Sequence, residues 1–258
     1  MFSIRLWIPY SLFALLSLII LWLFAHPHFP LLGSAFSGLA EFITGNEAVA
    51  HYPDLYVLLP RAHGWSAVFL GVFLEVLLVG AGFVMFSAYY GREKTSFMSA
   101  LSRAKNRYIQ LVTVWLFYTV VFLVLLLILP KLFDPLIGGS PRRTLAFGVG
   151  VRLLGSVILA MFMYVLPSIL IDGEKFMVAV RKSLRTFSDS MISSYVIAIV
   201  PYLIVLPFTI MLYNPALIVI KFYPELILYL LAVEIIANMF SSFIFTSTVL
   251  RFHWEFAE

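Results

Sequence analysis

Three ionisable residues fall inside apolar runs of this chain: Glu75, Arg152 and Glu234. A charge placed in hydrocarbon costs about 3 kcal/mol or more unless it is paired or hydrated, so such residues face the interior of a helix bundle. Each sits about eight residues in from the same end of its run, roughly 12 Å at 1.5 Å per residue. In a bundle entered from that side, the three charges share one level. Two chemistries are open to them. Arg152 bridges both carboxylates and the cluster is structural, or the cluster lines a polar cavity and binds an ion, a proton or a polar headgroup. One Arg against two Glu leaves a negative charge uncompensated if all are ionised, so a site of this kind either keeps one carboxyl protonated or takes a cation.

The neighbours have the character of a packing surface. At helical spacing Glu75 shares a face with Gly71 and Gly82, and Arg152 with Gly148, Gly155 and Ser156. Glu234 heads a stripe of Asn238, Ser241 and Thr248. Small and polar residues at these intervals let helices approach closely in lipid. The sequence therefore predicts an inner bundle of the second, fourth and sixth spans, with the first and third spans peripheral.

No other constellation carries chemistry. The histidines are His26, His28, His51, His63 and His253. His26-Pro-His28 is a candidate pair, but no His-x-x-x-His helix pair and no suitably spaced carboxylate completes a metal or haem site. Nucleotide loops, nucleophile elbows and dinucleotide fingerprints are absent. The chain has no cysteine, which excludes disulfides and thiolate chemistry. No catalytic residue, metal or cofactor is expected.

The elements that must position these residues are transmembrane helices. Of 258 residues, 62% are hydrophobic and 12% charged, with mean hydropathy +1.02. A soluble fold of this length cannot hide so much apolar surface. The expected class is all-α, a polytopic bundle forming one membrane domain with spans at about 6–25, 67–89, 111–129, 145–171, 192–213 and 225–250. The first run is too long for a signal-peptide core and is read as a retained helix. The third is expected to stop at Pro130, the loop 131–144 to turn at Gly138-Gly-Ser-Pro141, and the fifth to kink at Pro201 and Pro207. The outer connection 26–66 includes an amphipathic stretch, Leu31–Ile43, too short to span and suited to the interface.

A net charge of +4 raises the question of nucleic acid, but the cations occupy short loops between apolar runs, so none is expected as a partner. Grouping the N-terminus, the loops near 90–110 and 172–191 and the C-terminus collects eleven Lys and Arg against five on the other side. By the positive-inside rule both termini are cytoplasmic, in a cell (inner) membrane.

Two basic segments lie on that cytoplasmic side and partly repeat. Phe97-Met-Ser-Ala-Leu-Ser-Arg-Ala-Lys-Asn-Arg-Tyr108 aligns with Phe176-Met-Val-Ala-Val-Arg-Lys-Ser-Leu-Arg-Thr-Phe187. As a helix the second places Phe176, Met177, Val180, Leu184, Phe187 and Met191 on one face and Arg181, Lys182 and Arg185 on the other. The first is less regular, because Lys105 falls on the apolar side. Such elbows lie flat at the interface, where Arg103, Lys105, Arg107, Arg181, Lys182 and Arg185 meet lipid headgroups or partner proteins, or serve only to set topology.

The sequence around the second elbow, with Pro167, Asp172-Gly173, Phe176, Ala179, Ser183 and Phe187 and an echo at Gly91, Phe97, Ala100 and Tyr108, resembles a broad superfamily of bacterial and archaeal multi-pass proteins. That superfamily includes the membrane domain attached to some glycerophosphodiester phosphodiesterases. The resemblance implies an all-helical membrane domain and no catalysis, since the phosphodiesterase activity belongs to a separate soluble domain. The expected function is a non-enzymatic membrane subunit or scaffold that docks lipids, other membrane proteins or further copies of itself. The alternative is a transporter or lipid-handling protein that uses Glu75, Arg152, Glu234 and Asn238. An enzyme would need an outer-face site built from His26, His28, His51 or His63.

Overall fold

The computed structural model describes residues 3–26, 38, 41–42, 52–137 and 140–257. Apart from residues 38, 41 and 42, the expected interfacial helix at 31–43 lies outside the described residues, as do His28 and His51. The described residues are all helical or in turns, with no strand among them. A short 3-10 turn leads into α1 (Ile8–Ala25). Then follow α2 (Asp54–Leu70), a π turn at Gly71–Glu75, and α3 (Val76–Tyr90). Next are α4 (Phe97–Asn106), α5 (Tyr108–Leu123), a second π turn at Val124–Ile128, and α6 (Leu129–Ile137). The rest is α7 (Pro141–Phe162), α8 (Val165–Leu170), α9 (Phe176–Asp189), α10 (Met191–Met211), α11 (Pro215–Lys221) and α12 (Leu226–Ala257).

Among the described residues five helical stretches are long and apolar enough to cross a membrane, and the bent pair α4–α5, turned by 76°, brings the count to six. The protein is an all-helical, multi-span membrane bundle.

Several boundaries differ from the sequence reading. The second span begins at Asp54, not near residue 67, so residues 54–66 belong to one rod of 37 residues. At 1.5 Å per residue the rod is about 55 Å long, well beyond the hydrocarbon thickness of about 30 Å, and its N-terminal third carries Asp54, Arg61 and His63. The third helix passes through Pro130 to Ile137. The second π turn sits just before that proline, whose missing N–H leaves the ladder one bond short. Of the expected 131–144 loop, residues 131–137 and 141–144 are helical. Pro167 acts the other way. It cannot bond the carbonyl of Met163, and the fourth span breaks at Met163–Tyr164 between α7 and α8. α10 runs unbroken through Pro201 and Pro207, and the Ser241 hydroxyl of α12 donates to the Pro201 carbonyl at 3.0 Å.

α12 is the hub, packed against α1, α2, α3, α10 and α11. The first span is therefore not peripheral: Leu6, Tyr10, Leu21 and Phe24 are buried. Trp7 stacks on Phe243 of α12 at 3.7 Å between ring centroids. Two dry cores form. One gathers Tyr10, Phe83, Phe86, Tyr164, Phe243 and Leu250, and the other gathers Leu21, Phe24, Leu59, Ile227 and Leu231. Between them α12 presents Asn238, Ser241 and Ser242.

Candidate functional site

The polar stretch of α12 is surrounded by space. A cavity of about 240 Å³ lies between α1, the α2–α3 rod and α12, lined by Tyr10, Ser17, His63, Glu75, Asn238 and Ser242 among others. A second, of about 250 Å³, lies on the other side of the rod against α5. It is walled by Glu75, Trp115, Tyr118, Phe122, Phe245 and Thr246. A third, of about 290 Å³, lies between α5, α7, α10 and α12 and holds Arg152, Ser156, Tyr202, Asn238 and Ser241. Each shares walls with the other two. Glu75, Val79 and Ser242 border the first and second, Phe122 and Leu159 the second and third, and Asn238 the first and third.

Glu75 closes the first π turn. A π turn inserts one residue into the helix and rotates everything beyond it by about 100°. Regular helical spacing therefore misplaces its neighbours. Gly71 receives the Trp115 ring from α5, while Gly82 receives the Tyr10 hydroxyl from α1. Gly155 faces Phe122, whose ring comes within 2.7 Å of where a Cβ would stand, and Gly148 faces open space. Gly71, Gly82 and Gly155 are sockets for aromatic rings from the first and third spans rather than a seam between the second, fourth and sixth.

The three-way meeting of Glu75, Arg152 and Glu234 does not form. Arg152 lines the third cavity together with Tyr202. Among the described residues no ion pair within 4.0 Å joins it to either glutamate. Two features separate the groups. α7 packs mainly on α10, and the residues that α12 turns toward Glu75 are Asn238 and Ser242, one to two turns beyond Glu234. Asn238, expected in the cluster, instead joins the Glu75 cavity to the Arg152 cavity.

Sequence reasoning overlooked the tyrosines and His63 as parts of this site. The Tyr118 hydroxyl and the Nδ1 of His63 are buried without a hydrogen-bond partner among the described residues, and each of these side chains lines a cavity at Glu75, as Tyr10 does, while Tyr202 lines the third cavity. A buried polar atom left unpaired costs about 1–3 kcal/mol. No charged residue lies within four positions of Tyr10, Tyr118 or Tyr202, so helical spacing offers no signal for them.

The elbow segments are helices α4 and α9, and their buried stripes differ from expectation. Ala100 and Ala104 in α4, and Ala179 and Ser183 in α9, are fully buried, whereas Met177 and Met191 are exposed. Lys105 is exposed, not on the packed side. The six basic residues divide. Arg107 donates to the Gly173 carbonyl at 3.3 Å, and Lys182 pairs with Asp172 at 2.5 Å. His253, at the end of α12, meets the same carboxylate at 3.2 Å. One turn, with Gly173 at φ +73°, thus ties both elbow regions to the last helix. Arg103, Lys105, Arg181 and Arg185 are exposed.

Of the remaining histidines, His26 hydrogen-bonds the Trp22 carbonyl at 2.9 Å. Among the described residues no group of three or more His, Asp or Glu is placed to hold a metal. Compared with protein-family models, with curated proteins and with solved structures, the chain matches none.

Proposed function

We propose that the protein takes a small polar or amphipathic solute into the belt of cavities around α12, as a transporter or lipid-handling protein. Both termini and the elbows α4 and α9 lie at the cytoplasmic face of an inner membrane in this reading. The observation that carries it is Glu75, a carboxyl at a π turn in mid-span that borders two cavities and has no partner in any hydrogen bond or ion pair among the described residues. Intramembrane ionisable groups without partners serve function more often than structure, and π turns in long helices gather at functional sites.

The chain has no cysteine, so single cysteines can be introduced without a background. Ser17→Cys and Ser241→Cys are expected to react with a membrane-impermeant thiosulfonate, while Ile19→Cys, on the outer side of α1, stays unreactive. Equal silence at all three positions would show a dry interior and defeat the proposal.

A docking role has its own support in the exposed Arg103, Lys105, Arg181 and Arg185, four cations on the two elbows that suit anionic headgroups or an acidic partner surface. Dilution of anionic lipid in reconstituted vesicles that left these residues equally accessible to lysine- and arginine-directed reagents would count against it. Kinship with the superfamily named above is also part of the proposal. It is supported by the positive φ at Gly173 and the burial of Ala179 and Ser183, which give those motif positions a physical reason.

A further inference from the structure

We infer that the chamber at Glu75 takes an organic ammonium cation carrying an apolar tail. This rests on the reading of the belt as a solute site and names the class of solute. The charge balance comes first. Among the described residues neither cavity at Glu75 is lined by Lys or Arg, and the basic side chain on their walls is His63, which stands in the first cavity. Arg152, the cation expected to compensate Glu75, faces the third cavity instead. A carboxylate there has its counter-charge vacant, and a ligand bringing one positive charge fills that role.

The surroundings select the kind of cation. In the second cavity Glu75 stands among the rings of Trp115, Tyr118 and Phe122. Aromatic faces carry negative potential and attract weakly hydrated ammonium groups, the arrangement by which aromatic cages hold quaternary ammonium ligands. A bare magnesium or calcium ion would need six or more oxygen ligands, and these walls are mostly carbon. Size and shape agree. Two chambers of about 240 and 250 Å³ meeting at one carboxyl suit a compact headgroup on one side and a hydrocarbon extension on the other. Tyr118 adds a buried hydroxyl without a partner.

The test uses the full chain in lipid nanodiscs and a matched pair of probes, phenyltrimethylammonium and its uncharged isostere tert-butylbenzene, titrated by calorimetry. The cation is expected to bind saturably and the isostere at least about tenfold more weakly. Glu75→Gln should weaken the cation at least about tenfold with the helical circular dichroism unchanged. Tyr118→Leu removes one ring, keeps the carboxyl, and should weaken the cation about fivefold. That variant carries the test if Glu75→Gln fails to accumulate. Equal affinity for cation and isostere, or a cation affinity indifferent to both substitutions, overturns the inference. Cysteine accessibility separates the two levels: reactive Ser17→Cys and Ser241→Cys without cation binding leave the solute reading standing, while unreactive cysteines end both.

Discussion

Replacing Glu75 separates a strut from a binding group. Were Glu75 half of a buried ion pair, removing it would strand a charge and cost about 3–5 kcal/mol. In the structure its carboxyl faces cavities and no cation stands within ion-pair distance among the described residues. Glu75→Gln is therefore expected to change stability by no more than about 1 kcal/mol, the scale of an exchanged hydrogen bond. Glu75→Leu should stabilise by about 1–2 kcal/mol, because it removes a polar group from an apolar wall and covers part of the cavity with carbon. Reversible unfolding in mixed micelles with a denaturing detergent, followed by far-ultraviolet circular dichroism, measures both. The double variant Glu75→Gln with Arg152→Gln should be additive within about 0.5 kcal/mol, as for groups that do not touch. A loss above about 3 kcal/mol for the single variants, or strong coupling in the double, would refute this reasoning and restore the ion-pair account.

Three further outcomes follow from the packing. Asp172→Ala should destabilise by about 1–3 kcal/mol, since Lys182 and the buried His253 lose their shared acceptor; thermal unfolding in detergent checks this. Gly82→Val should destabilise by about 1–3 kcal/mol by driving Tyr10 from its socket, and Gly148→Val, facing open space, should be near neutral in the same assay. Ser241→Ala should cost about 1 kcal/mol through loss of the bond to the Pro201 carbonyl, with amide exchange in α10 rising next to Pro201.

Much of this architecture is legible in the sequence because lipid imposes strict rules on it. Apolar length locates the helices, and the buried small residues at Ala100, Ala104, Ala179 and Ser183 account for the repeat first seen as Phe-Met and Ala. The charged residues stand out in the sequence, yet their partners could not be read. The helical arithmetic that placed Glu75 beside Arg152 assumes 3.6 residues per turn, and the π turn ending at Glu75 breaks that period at the very residue of interest. Nothing in local composition announces such a turn. The glycines were recognised as sites of close approach, but which ring enters each socket depends on long-range packing, with Tyr10 and Trp115 arriving from α1 and α5. Cavities are likewise a property of the whole bundle: Asn238 joins two of them only because α12 is its hub. Pro130 and Pro167 look alike as helix stops, and the chain absorbs one with a π turn and breaks at the other.

The most direct test of the solute site is the modification rate of a single cysteine at Ser242, which borders both chambers at Glu75. With an impermeant thiosulfonate, Ser242→Cys should label readily, phenyltrimethylammonium should slow the labelling, and adding Glu75→Gln should abolish that protection. A cysteine at this position that never labels, with or without the cation, would contradict the account.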